Sequence, residues 1–369
     1  SMLFSTIGCD WFYQGVEDFK YITIRALSIR FICLILLFIF VHTKDDLMYY
    51  AAYTVLSCVG NNIFNFIRLR KYVNITLVSF KSLDIKKHLS PIFRIFILNL
   101  IVSIYINLDT VMLGFLKDTS AVGYYIGASK LTKVLLGIVT SLGTVMVPRL
   151  SNLIQNGQTK EFNKLSQKAI DYVVAFSFPL FLGLFVTSPT LIKLFCGPSY
   201  TPAVLTLQIL SPILLFIALS NVLGIQMLYP QGKENIVIRC TMAGALVNFT
   251  LNMLLIPILS NDGAAIATCA AEFMVTFTMI IVGRKYLPID YSIKRYSNYI
   301  IGGLLMLVAL TAIRRITAMP AIVSMLCSAS AGVTIYFLYL YIRKDDLFIN
   351  LVVNLLKSKI YAKGKKFFN

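Results

Sequence analysis

The chain has 369 residues, 58% of them hydrophobic and 14% charged, against roughly 45–50% and about 25% in soluble domains. This composition, with 26 Phe and 20 Tyr, excludes a water-soluble enzyme built on one core, because a soluble chain of this size needs a largely polar surface. The excess of 34 Lys and Arg over 16 Asp and Glu, a formal +18, fits nucleic acid or a membrane surface until the positions of the charges are read.

In chain order, Ser1 to about Gly15 reads as the end of a helix too short to span a bilayer alone. Ten complete spans follow, at about 24–42, 47–67, 93–114, 122–148, 169–192, 203–228, 236–259, 263–283, 297–313 and 320–342. Each is close to the roughly twenty residues that cross hydrocarbon as a helix. The tail from Leu347 to Tyr361 repeats apolar residues at helical spacing among lysines, the pattern of an amphipathic anchor on an acidic leaflet.

The connections alternate in charge. One set of loops and span ends, including Arg68 to Arg94, Arg149 to Lys168, Arg284 to Arg295 and the tail from Arg343, carries 26 of the basic residues. The opposite set carries five: Lys44, Lys117, Lys193, Arg314 and Arg315. That split follows the positive-inside rule and places the C-terminus in the cytoplasm. The charge excess is therefore topology, and no nucleic-acid partner is expected. The seven Cys form no CxxC and the two His, His42 and His88, lie near none of them, so neither a metal site nor a disulfide framework is expected.

Only Arg30, Lys130 and Lys133 remain as basic residues inside spans, and charges at that depth are the default functional candidates. Lys130 and Lys133 sit one turn apart on a face that continues through Gly137, Thr140, Ser141 and Thr144. Lining a polar cavity, pairing with Asp109 and snorkelling to the outer surface all fit this pattern. In the preceding span Asn99, Ser103 and Asn107 recur every four residues, and Asp109 points roughly opposite Asn107 on an ideal helix. The short link Leu116 to Ser120 makes these two spans a hairpin, so an Asp109–Lys130 ion pair is expected at comparable depth. Asn61 with Asn65 and Asn248 with Asn252 are i,i+4 pairs, which suit interhelical hydrogen bonds or a hydroxyl-rich ligand. Glu272 stands near mid-membrane as a candidate proton carrier, and Arg30 either holds an anionic head group or snorkels inward. Pro179, Pro189, Pro212 and Pro257 lie within or near the ends of spans, where each can bend its helix. No phosphate-binding loop, nucleophile elbow, HExxH or acidic metal cluster occurs, so no cofactor and no catalytic residue is assigned.

Two stretches resemble a known family. Trp11-Phe12-Tyr13-Gln14-Gly15-Val16-Glu17-Asp18-Phe19-Lys20 with Tyr21 to Arg25, and Leu108 to Gly114 with Val122-Gly123-Tyr124-Tyr125 and Ala128-Ser129-Lys130-Leu131, resemble motifs of Wzx-type polysaccharide-export flippases. These form a branch of the multidrug/oligosaccharidyl-lipid/polysaccharide, or MATE-like, superfamily. The resemblance implies an all-α polytopic membrane protein: two six-helix lobes around a central cavity, followed by two accessory helices. On that map residues 1–92 are the remainder of the N-terminal lobe, 93–290 the C-terminal lobe, 291–342 the accessory pair and 343–369 the basic cytoplasmic tail. The family's first three helices and most of its fourth are missing, so the N-terminal lobe is expected to be incomplete. The resemblance further implies Asp109 and Lys130 as the signature pair of the second lobe and Gln14 and Glu17 as part of an inner-end motif. The implied activity is translocation of an undecaprenyl-diphosphate-linked oligosaccharide across the bacterial inner membrane by alternating access, without enzymatic chemistry. A cation-coupled drug or metabolite exporter of the same fold is the alternative. The implied partners are the lipid-linked oligosaccharide, membrane lipids and a polysaccharide polymerase or export machinery, with the chain itself a monomer.

Overall fold

A computed structural model describes residues 8–9, 12–13, 16, 18–72, 89, 93, 107–290, 292–316, 320–345 and 347–349. All regular structure among them is helical, and seven helices are long and apolar enough to cross a membrane. Asn99, Gln14, Glu17 and the tail beyond Ile349 lie outside the described residues. The chain divides into two compact units, Ser1–Arg94 and Ile95–Asn369.

The first unit contains α1 (Phe19–Phe40) and α2 (Leu47–Leu69), an antiparallel pair joined by a single 3-10 turn. Asp18 caps α1 by accepting the Tyr21 N–H and forms an ion pair with Arg68 at 2.7 Å. The Arg68 guanidinium lies 3.8 Å from the centre of the Tyr21 ring. Arg25 is a buried residue of α1 bonded to Asn61, not a solvated charge at a span end. Asn65 is buried and donates to the Gly8 carbonyl, so this i,i+4 amide pair works as interhelical packing. Arg30 lies on the exposed face of α1.

The second unit begins with α3 (Asn107–Leu116), α4 (Thr119–Gln155) and α5 (Thr159–Phe195). The next span is broken by Pro212 into α6 (Ala203–Leu210) and α7 (Ile213–Asn221) and continues as a π-helical stretch, Val222–Leu228. α8 (Glu234–Gly283) is two arms that meet at Ser260, whose φ of 54° and ψ of −130° are not helical. Gly263 makes that reversal sterically feasible, because a Cβ there would lie 2.5 Å from the Leu255 carbonyl oxygen. The two arms match the separate spans expected at 236–259 and 263–283. α9 (Ile293–Ile316) and α10 (Ala321–Ile342) pair with each other and pack on α5.

Candidate functional site

Helix geometry assembles the site from α3, α4 and the two arms of α8. Asp118 starts α4 by capping the Ala121 N–H at 2.8 Å, which turns the chain sharply after α3. Asp109, Met112 and Leu113 share one face of α3, and Ala121, Tyr125 and Ala128 share one face of α4. Met112 and Leu113 are buried in one apolar cluster with those three residues, and this apposition brings the Tyr125 hydroxyl to Asp109. The sharp return at Ser260 brings Asn248 and Asn252 on the first arm of α8 beside Thr268 on the second.

Asp109 is only 7% exposed. One carboxylate oxygen accepts from Asn248 Nδ2 at 2.9 Å and Asn252 Nδ2 at 2.7 Å. The other accepts from the Tyr125 hydroxyl at 2.7 Å. Thr268 Oγ1 lies 2.9 Å from that same oxygen and 2.9 Å from the Ala264 carbonyl, so its single proton serves one or the other. The hydrogen-bond donors to Asp109 are thus neutral amides and hydroxyls. The expected Asp109–Lys130 ion pair does not form among the described residues. Hydrogen bonds to a carboxylate stabilise its charge without needing a counter-ion.

A cavity of about 360 Å³ opens against this cluster, within the usual range for small-molecule sites. Asn107, Asp109, Lys130, Lys133, Asn248 and Glu272 all contribute to its lining. Asn107 and Asp109 therefore do face one cavity, contrary to the ideal-helix reading: the cavity follows a broad arc of α3, on which Asn107 is exposed and Asp109 buried. Lys130 and Lys133 project from α4 as exposed side chains in no ion pair among the described residues. Asn252 is fully buried behind the lining and acts through Asp109 and Asn248. Its Oδ1 receives no hydrogen bond among the described residues. Leu210, Ile213 and Ile217 form an apolar wall across the Pro212 break. The lining thus combines two ammonium groups, the carboxylates of Asp109 and Glu272, amides and hydroxyls with one greasy side. Such a surface can hold an anion by charge-assisted bonds and sugar hydroxyls by amides.

Tyr125 and Thr268 were not singled out as site residues from sequence. Tyr125 sits inside the quoted Val-Gly-Tyr-Tyr stretch, which flagged the segment but not its partner 16 residues earlier. Thr268 is one of many apolar-span threonines, and only the return of α8 distinguishes it. Arg30 belongs to the first unit, and the cavity of the second unit is lined by that unit's own residues.

The chain is similar to several known proteins. The family model described as "Polysaccharide biosynthesis protein" matches residues 3–154, and the MatE model matches residues 95–254. A putative O-antigen transporter of Escherichia coli K12 is 29% identical over 281 residues, 74% of this chain and 66% of that protein. A putative O-antigen transporter of Shigella dysenteriae is 26% identical, covering 76% of this chain and 69% of its own length. Among solved structures, the lipid II flippase MurJ in an inward closed conformation superposes with a TM-score of 0.68 and 17% identity, over 82% of this chain and 64% of that one. The chain therefore spans about two-thirds of the length of these relatives.

Proposed function

We propose that the chain belongs to the Wzx-type branch of the MATE-like superfamily, on the strength of its two family-model matches and its O-antigen-transporter relatives, and that it moves a lipid-linked oligosaccharide from the inner to the outer leaflet of the bacterial inner membrane. The carrier lipid in this reading is undecaprenyl diphosphate, and the C-terminus faces the cytoplasm. The observation that carries the reading is the cavity of the second unit, where Lys130 and Lys133 stand exposed beside Asn107, Asn248 and Glu272. The diphosphate meets the two ammonium groups, sugar hydroxyls meet the amides, and the polyprenyl chain stays in lipid. Alternating access rocks one lobe against the other around this site. The chain works as a monomer and passes its cargo to a polysaccharide polymerase or export machinery, performing no covalent chemistry itself.

Asp109 is the coupling group in this proposal. It is a carboxylate whose hydrogen-bond donors are neutral, and the fully buried Asn252 that donates to it through Nδ2 has an Oδ1 that receives no hydrogen bond among the described residues. A buried carboxylate at the edge of a cavity, held by neutral donors, suits a proton or a small cation that arrives and leaves. The same observation favours, as a second reading, a cation-coupled exporter of a small molecule, with Glu272 contacting the cargo.

The test is restoration of polysaccharide export in a strain lacking its own flippase. Lys130→Ala and Lys133→Ala are expected to abolish export while Lys130→Arg retains it. Unchanged export in Lys130→Ala would remove that residue from the mechanism. A drug-resistance phenotype lost on Glu272→Gln, without any effect on export, would select the second reading.

A further inference from the structure

α5 carries two internal prolines, Pro179 and Pro189. Each lacks the N–H that would bond the carbonyl four residues earlier, so the carbonyls of Ala175 and Phe185 lose their helical donors. Both are supplied from other helices. The Tyr336 hydroxyl of α10 donates to the Ala175 carbonyl at 2.6 Å, in a buried contact. Gln208 Nε2 of α6 donates to the Phe185 carbonyl at 3.4 Å, and Arg314 Nη1 of α9 reaches the adjacent Val186 carbonyl at 3.2 Å. The other span prolines are treated differently. The Gln208 carbonyl freed by Pro212 is taken locally by the Ser211 hydroxyl at 2.7 Å. The Met253 carbonyl freed by Pro257 receives no side-chain donor among the described residues, and Met253 is 49% exposed.

We propose that the α9–α10 pair is a splint that holds α5 in its bend, with the Tyr336 hydroxyl standing in for the hydrogen bond that Pro179 removes. The packing is built for close contact at that level. Gly303 of α9 lies so near α5 that a Cβ would fall 2.8 Å from the Phe178 ring, one residue before the proline. At the inner end Arg295, at the start of α9, grips Asp171 of α5 through two hydrogen bonds of 2.8 and 2.5 Å. From Asp171 to Val186 the fastenings cover about 22 Å of helix. α5, α9 and α10 consequently move as one body. Any rearrangement within this unit falls to segments without such tethers, of which the Pro257 level of α8 is one. The splint is independent of what the protein transports.

The test is a double-mutant cycle read by hydrogen–deuterium exchange of the full chain in lipid nanodiscs. Tyr336→Phe keeps the ring and removes only the hydroxyl, so exchange of α5 amides around Pro179 is expected to rise roughly fivefold or more. In a Pro179→Ala background position 179 regains an N–H for the Ala175 carbonyl, and adding Tyr336→Phe is expected to change exchange by less than about twofold. An equal rise in both backgrounds, or no rise in the native one, overturns the proposal. If Tyr336→Phe alone does not accumulate, normal accumulation of the double variant supports it and failure of the double variant overturns it.

Discussion

Asp109 and Asp171 are equally buried, each 7% exposed, yet the second unit treats them in opposite ways. Asp171 is neutralised: Arg295 binds both of its oxygens, Gln167 Nε2 donates at 2.9 Å, and the same Gln167 ties in the backbone of Asp290 at 2.7 Å. Asp109 is solvated by neutral groups and stands at a cavity. A carboxylate locked to a guanidinium has spent its charge on fastening two helices together. One held by amides and hydroxyls keeps that charge available to whatever enters the cavity. Burial alone does not tell these two carboxylates apart, whereas the charge of their partners does.

The comparison breaks most sharply by exchanging each charge for an amide. Asp109→Asn is expected to lower export at least roughly tenfold, the loss of about 1.5–3 kcal/mol of charge-assisted interaction, while folding persists. Asp171→Asn is expected to do the reverse, lowering thermal stability and leaving export of the folded fraction near normal. A comparable loss of export in both variants, measured at matched protein levels, would erase the distinction. Next in size, Arg295→Ala leaves Asp171 buried with Gln167 as its remaining side-chain donor. Because the Arg295 side chain is 39% exposed, the cost is set below that of a fully buried pair, at about 2 kcal/mol, to be read as a lowered Tm in detergent. Gln167→Leu removes the bridge to Asp290 but keeps the ion pair, and about 1 kcal/mol is expected by the same measurement.

The smallest effect concerns an exposed carboxylate. In the turn between α1 and α2, Asp46 accepts the N–H groups of His42 and Thr43 at 2.9 and 2.8 Å and the Thr43 hydroxyl at 3.0 Å. These bonds, that from His42 first, hold its pKa below the ordinary aspartate value. A depressed folded pKa gives stability that is present above the unfolded value, about 3.9, and lost as pH falls through the folded one. Acidification from pH 6 to 3 is therefore expected to lower the protection of amides in residues 42–47, read as exchange relative to the intrinsic rate at each pH, and Asp46→Ala should remove that pH dependence of protection.

The placement of the helices was largely legible in the sequence, because apolar runs of spanning length separated by basic loops leave little freedom. The α3–α4 hairpin and the break between the arms of α8 follow from short polar links and Gly263. That Asp109, Lys130, Lys133 and Glu272 need an explanation was also legible, since charges at membrane depth are expensive wherever they point, and all four line the cavity. Their partners were not. Asp109 meets Asn248 and Asn252, 139 and 143 residues away, and not the nearby Lys130. Asp171 carries no local sequence signal and Arg295 reads only as a loop charge, because a bidentate pair spanning 124 residues leaves no local trace.

The sequence by itself determined that this is a multi-pass helical membrane protein and which intramembrane charges needed an explanation, because hydrocarbon penalises charge regardless of fold. The tertiary structure alone decided what became of each charge and each proline-freed carbonyl. Those outcomes depend on which donors the other helices bring within about 3 Å, a distance fixed by packing rather than by the order of residues along the chain. Lys130 and Lys133 remain exposed to the cavity, Asp109 is ringed by neutral donors, Asp171 is locked to Arg295, and the Ala175 carbonyl is capped by Tyr336.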